Sequence, residues 1–311
     1  MLGGAIAYGD LGSCLMSVQA IAAPQRRGSV HRWLRQYGRP WELALRYLLL
    51  LGVTVLLVGP LAWQALTSLK GPNEDISGVH ATALPSQPSL HAYQTVLGQL
   101  PMLSYIRNSL IICALTVVSQ LVLSTLGGYM LSRPGWRGRN AVFLLLVASM
   151  MFPFESVMVS LYIMILGLNL SDNLLGVWLP GFIGAINLLI MRAAFMAVPI
   201  ELEEAGMLDG AGEWRRFWSI FVPAARGALT VIGINTFIGA WDDFLWPLIV
   251  LRTDTNFTIT LGLSRLQNSA FGFDWRVVMA GAMVSVVPIM VLFLFTQRYF
   301  YRGVAAGAVK L

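Results

Sequence analysis

The chain has 311 residues, of which 57% are hydrophobic and only 12% are charged, and its formal net charge is +6. A composition this apolar excludes an ordinary soluble globular protein and indicates a membrane protein. Arginines in the loops of such a protein explain the positive charge, which therefore gives no reason to expect nucleic acid as a partner.

Residues 1–42 precede the first long apolar run and are predicted to form a disordered cytoplasmic tail. Within the tail, the stretch 2–23 is mildly apolar, but it is interrupted at Gly9, Asp10 and Gly12 and has no basic segment before it. It therefore fits neither a signal peptide nor a spanning helix. The alternative interpretation is that the true translation start is Met16.

Six runs of roughly 20 apolar residues follow, and each could cross a hydrocarbon layer about 30 Å thick. They cover residues 43–66, 106–131, 141–166, 174–197, 224–251 and 277–299. The sequence thus predicts an all-α membrane protein with six transmembrane helices, which form one domain over residues 43–311. The third and fifth runs are long enough to tilt or break, and Pro153 interrupts the backbone hydrogen bonds of the third.

Arginines are divided unevenly between the loops on the two sides of these runs. Most lie before the first run, between the second and third, between the fourth and fifth, or after the sixth; examples are Arg32, Arg137, Arg215 and Arg302. Loops with an excess of Lys and Arg stay on the cytoplasmic side. Both termini and the segment 199–223 are therefore predicted to be cytoplasmic.

The segment 199–223 is both charge-dense and amphipathic. Leu202, Ala205 and Leu208 recur at helical spacing among glutamates, and an aromatic stripe follows from Trp214 to Phe221. Glycines between the two patterns allow a sharp turn, so two short helices are predicted. The second helix could lie on the lipid surface, but an anionic leaflet would repel the glutamates of the first. A protein partner explains the first helix better.

The same segment resembles the EAA signature of bacterial ABC-transporter permeases. The resemblance rests on the triplet Glu204-Ala205-Gly206 and on the glycine, isoleucine and proline that follow it at Gly210, Ile220 and Pro223. The neighbouring Glu203 and Asp209-Gly210-Ala211 are similar to the carbohydrate-uptake branch, which includes the maltose permease subunits. Gly206 and Val222 depart from the signature, which has alanine and leucine there. The similarity covers a core of about residues 106–300.

The resemblance implies a multi-pass permease subunit of an ABC importer in the bacterial inner membrane, for a carbohydrate or a similar polyhydroxy solute. Its partners would be a second permease, two ATPase subunits, an external solute-binding protein and membrane lipid. ATP and Mg²⁺ would bind to the ATPase subunits. This chain has no phosphate-binding glycine loop, so the ATPase activity would lie in its partners and it would not itself be an enzyme. Its two cysteines and three histidines have no metal-ligand spacing, so no metal or other cofactor is expected on this chain. The residues that would couple it to the ATPase are Glu203, Glu204, Ala205, Gly206, Asp209, Gly210 and Ala211.

Polar and amphipathic residues inside the apolar runs are candidates for the path of the solute, because an unpartnered polar group is costly in lipid. They are Glu155, Asn187, Asn235, Trp241, Asp242 and Asp243. Structural roles stay open, namely a helix–helix hydrogen bond for Glu155 and an aromatic belt for Trp241. The functional alternative is an ion-coupled secondary transporter that uses the carboxylates, although no inverted repeat is visible. The solute also stays open between oligosaccharides, compatible solutes such as glucosylglycerol, and glycerol-phosphate derivatives.

Overall fold

The structure is a computed structural model that describes residues 40–79, 81–267 and 274–308. Over these ranges the chain is helical and contains no β-strand. The prediction of an all-α fold is therefore confirmed for the described residues. The predicted N-terminal tail lies outside the described residues as far as position 39.

The helices are numbered in chain order. The first seven are α1 Pro40–Ser68, α2 His91–Gln99, α3 Met102–Ser132, α4 Arg139–Ser149, α5 Phe154–Gly167, α6 Leu174–Trp178 and α7 Ala185–Met196. The next seven are α8 Ile200–Leu208, α9 Glu213–Arg216, α10 Val222–Ala224, α11 Arg226–Asp242, α12 Leu245–Val250, α13 Ile259–Ser264 and α14 Trp275–Ala308. One π-helical turn, Phe217–Phe221, joins α9 to α10.

Three of these helices are long and apolar enough to cross a membrane, namely α1, α3 and the part of α14 up to Gln297. Three further pairs of helices pass the same test together, although each pair is bent. Length and composition therefore allow up to six spans if each bent pair counts as one. The count of six stays a prediction.

Two of the long apolar runs, the third and the fifth, are interrupted. Pro153 immediately precedes α5, and α4 and α5 meet at 101° across the gap of residues 150–153. The predicted break in the third run is confirmed, since proline cannot continue the hydrogen-bond ladder. The fifth run is interrupted as well, because α11 ends at Asp242 and α12 begins only at Leu245.

The chain divides into two compact units, Met1–Pro60 and Leu61–Leu311. In the first unit, the described residues belong to α1, and most of their apolar side chains are exposed. The described residues of the second unit form two hydrophobic clusters. The larger cluster includes Tyr105, Ile112, Trp241, Trp246 and Ile259, and the smaller one includes Tyr129, Met191, Phe195, Phe217 and Phe221.

Helices α3 and α7 pack closely along a seam of two glycines. A Cβ atom on Gly127 would lie 2.2 Å from Leu188 Cδ2, and one on Gly128 would lie 2.6 Å from Met191 Cβ and 2.9 Å from the Arg192 backbone nitrogen. The backbones can approach this far only because neither position carries a side chain. The Arg192 side chain also donates to the Leu131 carbonyl oxygen at 3.2 Å, which ties α7 to the end of α3.

Candidate functional site

The segment 199–223 folds into the two predicted short helices, α8 and α9, with a tight turn between them. Gly210 has φ +72°, its N–H donates to the Met207 carbonyl oxygen at 3.0 Å, and the Ala211 N–H donates to that of Gly206 at 2.9 Å. Only glycine adopts this left-handed conformation without a steric penalty. The prediction of a glycine turn between two helices is thus confirmed.

The outer side of α8 and its turn is exposed and mixes acidic with apolar groups. Glu204, Ala205, Asp209 and Gly210 are exposed, and the Leu208 side chain is 90% exposed. Within the described part of the chain, Glu204 and Asp209 form no ion pair. An acidic surface with an exposed leucine is suited to a protein that offers cations around an apolar groove.

Gly206 and Ala211 are half-buried on the inner side of the same turn. A Cβ atom on Gly206 would lie 2.8 Å from Ile220 Cδ1. Helix α8 therefore lies so close to the π-helical turn that an alanine would force Ile220 to move. This contact gives a physical reason for glycine in place of the alanine of the signature.

Glu203 faces the protein interior, in contrast to its neighbour Glu204. Its carboxylate pairs with the guanidinium of Arg133, which directly follows α3, and with that of Arg216 at 3.2 Å. The three side chains are 13–17% exposed, so this ion cluster is largely shielded from solvent. Glu203 therefore attaches the loop to its own chain rather than presenting a charge outside.

The predicted aromatic stripe divides between the interior and the surface. Phe217 and Phe221 are buried against Tyr129, with ring centroids 4.9 and 5.3 Å apart, whereas Trp214 and Trp218 are exposed. The buried pair anchors the loop in the smaller hydrophobic cluster. The exposed pair has the amphipathic character of tryptophans at a membrane interface.

A cavity of about 490 Å³ opens among α3, α7, α11 and the residues after α6. Its lining includes three of the residues predicted for the solute path, Asn187, Asn235 and Asp243. Trp246 and Phe154 also line it, and their rings meet edge to face at 5.7 Å. Amide, hydroxyl and carboxylate groups beside an aromatic wall can bind a polar ligand that also has an apolar face.

Side chains from three helices form a hydrogen-bonded network at this cavity. The Asn187 amide donates to Gln120 Oε1 and, at 3.1 Å, to Thr236 Oγ1, while the Thr236 hydroxyl donates to Gln120 Oε1 at 3.1 Å. Gln120 in turn donates to the Gly181 carbonyl oxygen at 2.7 Å. The network joins α3, α7 and α11, and its partners satisfy polar groups that would be costly in lipid.

The other three residues predicted for the path do not line this cavity. Glu155 and Asp242 are exposed on the outside of the chain. Trp241 is buried, stacks on Phe237 with ring centroids 5.8 Å apart, and donates its indole N–H to the Ser285 carbonyl oxygen at 3.2 Å. These contacts give Trp241 a role in the core, which differs from both roles considered in the sequence analysis, the solute path and the aromatic belt.

The sequence does not predict two residues that make central contacts, Gln120 in the cavity network and Arg133 in the ion cluster. Gln120 lies in the second apolar run, so the cost of a polar group in lipid was a signal that could have identified it. Arg133 looked like one more cytoplasmic loop charge. Its partner Glu203 is 70 positions away, and no local pattern reveals the pairing.

A second junction connects the segment after α5 to the segment after α12. Asp172 accepts hydrogen bonds from the backbone N–H groups of Arg252 at 2.9 Å and Thr253 at 3.0 Å, and also from the Thr253 hydroxyl. Loss of hydration pushes the pKa of Asp172 up, but the hydrogen bonds outweigh it and lower that pKa to about 2. The carboxylate is thus held in its charged form.

The amino-acid sequence of the chain is similar to those of known transport proteins. A family model described as "binding-protein-dependent transport system inner membrane component" matches residues 121–306. The arabinooligosaccharides transport system permease protein AraQ of Halalkalibacterium halodurans is 36% identical over 203 residues, which cover 65% of this chain and 72% of that protein. The galactooligosaccharides transport system permease protein GanQ of Bacillus subtilis is 30% identical over 89% of this chain and 98% of its own length.

Solved structures show the same fold. One chain of a bacterial ABC transporter involved in the import of the acidic polysaccharide alginate superposes with a TM-score of 0.73 at 23% identity, over 85% of this chain and 99% of that one. A chain of a bacterial alginate ABC transporter in complex with a periplasmic protein bound to an alginate pentasaccharide superposes with a TM-score of 0.60 at 17% identity, over 87% and 98%.

Proposed function

The chain belongs to the family of inner membrane components of binding-protein-dependent transport systems, and from this premise we propose that it is a permease subunit of an ABC importer for a carbohydrate. It works with a second permease, two ATPase subunits and an external solute-binding protein. ATP and Mg²⁺ bind to the ATPase subunits, and this chain alone hydrolyses no ATP.

The observation that carries the carbohydrate proposal is the composition of the cavity. Its polar groups are mainly amides and hydroxyls (Gln120, Asn187, Asn235 and Thr236), and Trp246 supplies an aromatic wall. A sugar offers hydroxyls to the first set and C–H faces to the second. Two relatives named for oligosaccharide transport support the same class of solute.

The family match favours this function over an ion-coupled carrier. Of the three carboxylates considered for an ion site, Glu155, Asp242 and Asp243, only Asp243 lines the cavity. We place the solute path along Asn187, Asn235 and Asp243. Glu155 and Asp242, which are exposed on this chain, stay in the proposal as groups that face water or the second permease.

The exposed side of α8 supports a coupling role for the segment 199–223. Glu204 and Asp209 present carboxylates without an intramolecular ion pair among the described residues, and Gly210 shapes the turn beside them. In the proposal this side docks on an ATPase subunit, so the segment lies in the cytoplasm, and with six spans both termini lie there as well. When ATP closes the two ATPase subunits, the segment moves with them and shifts the helices between two states.

Transport by the reconstituted complex tests the function. The chain, its partner permease and their ATPase are purified together and placed in vesicles with the external binding protein. Arabinooligosaccharides, galactooligosaccharides and maltodextrins are offered as solutes. We expect uptake of at least one of them to require ATP, and uptake should be lost with an ATPase variant that binds ATP without hydrolysing it. Uptake that follows an ion gradient in the absence of ATP would overturn the proposal.

Cysteine labelling tests the orientation. A cysteine placed at Asn73 should react with an impermeant maleimide from outside intact cells, and a cysteine at Gly212 should react only after the cells are opened. Both residues are exposed loop positions, and a Cβ atom on Gly212 has open space around it, so both thiols are accessible. The reverse pattern of labelling would place the segment 199–223 outside.

A further inference from the structure

The ion cluster of Glu203, Arg133 and Arg216, named here the Glu203 clasp, connects the loop to two different elements. Arg216 ends α9, so its pair with Glu203 holds the two halves of the loop together. Arg133 follows the last residue of α3, so its pair with Glu203 holds the loop to a long membrane helix. The Arg216–Glu203 pair thus lies within the loop, whereas the Arg133–Glu203 pair connects the loop to α3.

The α3 side of the clasp is firmly fixed. The Arg133 guanidinium lies over the ring of Tyr129 on α3 at 4.8 Å and over that of Phe221, within the loop, at 4.1 Å, and its backbone N–H donates to the Tyr129 carbonyl oxygen at 3.2 Å. A cation held between aromatic faces has little freedom to move independently of them. A pull on the Arg133 side chain therefore acts on the end of α3.

Helix α3 leads from the clasp to the cavity. At 1.5 Å per residue, Gln120 lies about 20 Å along the helix from Arg133. Between them the glycine seam at Gly127 and Gly128 locks α3 against α7, which carries Asn187. Close-packed helices shift as units rather than deforming continuously. A displacement of the end of α3 therefore reaches Gln120 and Asn187 together.

The Arg133–Glu203 and Arg216–Glu203 pairs of the clasp can be tested separately by replacing one arginine at a time. One carboxylate serves two guanidinium groups, and the buried Nε atoms of Arg133 and Arg216 have no hydrogen-bond partner among the residues that the structure describes. Replacing Glu203 would leave two shielded cations unpaired, which is strongly destabilising. Replacing either arginine by glutamine instead leaves one neutral Arg–Glu pair. The two arginine variants are therefore matched in net charge.

We propose that Arg133 is a positioning residue that carries the movement of the segment 199–223 through α3 to the cavity. The inference rests on the proposed function, since it assumes an ATPase that moves the segment. Arg216 has no such task, because its pair with Glu203 stays within the loop. Docking of the ATPase on the exposed side of α8 is independent of both arginines.

A reporter in the cavity tests this assignment without knowledge of the solute. Gly239 lines the cavity and has open space around its Cβ position, so Gly239→Cys introduces a thiol there. The rate at which N-ethylmaleimide labels this cysteine is measured in the assembled complex, with and without ATP plus orthovanadate. The same complex without Gly239→Cys supplies the background, and ATP hydrolysis is measured in parallel.

We expect ATP plus orthovanadate to change the labelling rate in the parent complex and in Arg216→Gln. In Arg133→Gln this effect of ATP plus orthovanadate on the labelling rate should be smaller by roughly threefold or more, while ATP hydrolysis continues. The reason is that the variant lacks the contact that transmits the movement of the loop to α3. Restoring a cation with Arg133→Lys should recover part of the change.

Equal responses of the two glutamine variants, both normal or both reduced, would overturn the role of Arg133. Failure of the parent complex to bind the ATPase, or to respond to ATP at all, would overturn the proposed function instead. Loss of assembly in Arg133→Gln but not in Arg216→Gln would also contradict the inference, since it would make Arg133 a docking or folding residue.

Discussion

Replacing Gly128 by alanine perturbs the seam between α3 and α7. The added Cβ atom would lie 2.6 Å from Met191 Cβ and 2.9 Å from the Arg192 backbone nitrogen. Neither atom is the end of a flexible side chain, so rotation about a side-chain bond cannot relieve the contact. The two helices must part instead.

The size of the effect follows from these distances. Ordinary carbon contacts begin near 3.4 Å, so α3 and α7 must separate by about 0.8 Å at this point. Overpacking of this kind costs about 1–3 kcal/mol, against which alanine recovers up to about 1 kcal/mol of helix propensity. Gly98→Ala serves as the control: Gly98 is exposed on α2, and its added Cβ atom would have no other atom within 4 Å. This variant therefore gains helix propensity without any overpacking. The two variants should therefore differ by about 1–3 kcal/mol.

Thermal unfolding of the purified permease complex measures this difference. For a chain of 311 residues, where about 1 kcal/mol shifts the unfolding temperature by about 1.5 °C, we expect Gly128→Ala to unfold roughly 2–5 °C below Gly98→Ala. Uptake should fall as well, because parting the helices moves Asn187 away from Gln120. Equal unfolding temperatures for the two variants would refute the close approach of α3 and α7.

Three further predictions concern single residues. Gly210→Ala should weaken retention of the ATPase by at most roughly thirtyfold, because the left-handed turn costs an alanine about 1–2 kcal/mol, whereas Gly210→Asn should retain it because asparagine tolerates this conformation; equal losses would mean that any side chain blocks docking. Asn187→Leu should lower stability by about 1–3 kcal/mol by leaving Gln120 and Thr236 with fewer partners, and an unchanged Tm would contradict the network. The Tm difference between the parent and Asp172→Asn should be constant from pH 7 to about 4 and shrink below that, because the depressed pKa of Asp172 contributes stability that is lost as pH falls toward 2. A difference that stays constant to pH 3 would contradict it.

The sequence predicted most reliably those features that depend on local chemistry. Pro153 indicated the break before α5, and Gly210 indicated the turn after α8, because proline and glycine act on their own backbone. The adjacent glutamates at 203 and 204 looked alike, yet Glu203 faces inward and Glu204 outward. Glu203 is the one that turns inward because it pairs with Arg133, which is distant in the chain. The spacing of residues within the loop gives no information about this partner.

The candidate path was only half predictable for a similar reason. A polar residue in an apolar run signals a partner, but it does not reveal whether that partner is a solute, another helix or water. Asn187 and Asp243 proved to line the cavity, whereas Trp241 is satisfied by Ser285 in the core. The difference lies in how α11 and α14 pack, which is a property of the whole fold.

The interruption of the chain between α4 and α5 has a consequence for the state of the empty cavity. Helix ends leave backbone N–H and C=O groups without intrahelical partners, and hydrocarbon cannot supply any. Phe154, the first residue of α5, lines the cavity, so the open helix end lies beside it. Water in the cavity could supply the partners for these groups, so we expect the resting protein to be hydrated there. Entry of a solute is then an exchange in which hydroxyl groups replace ordered water. Such an exchange rewards molecules that reproduce the hydrogen bonds of water and disfavours apolar molecules of the same size.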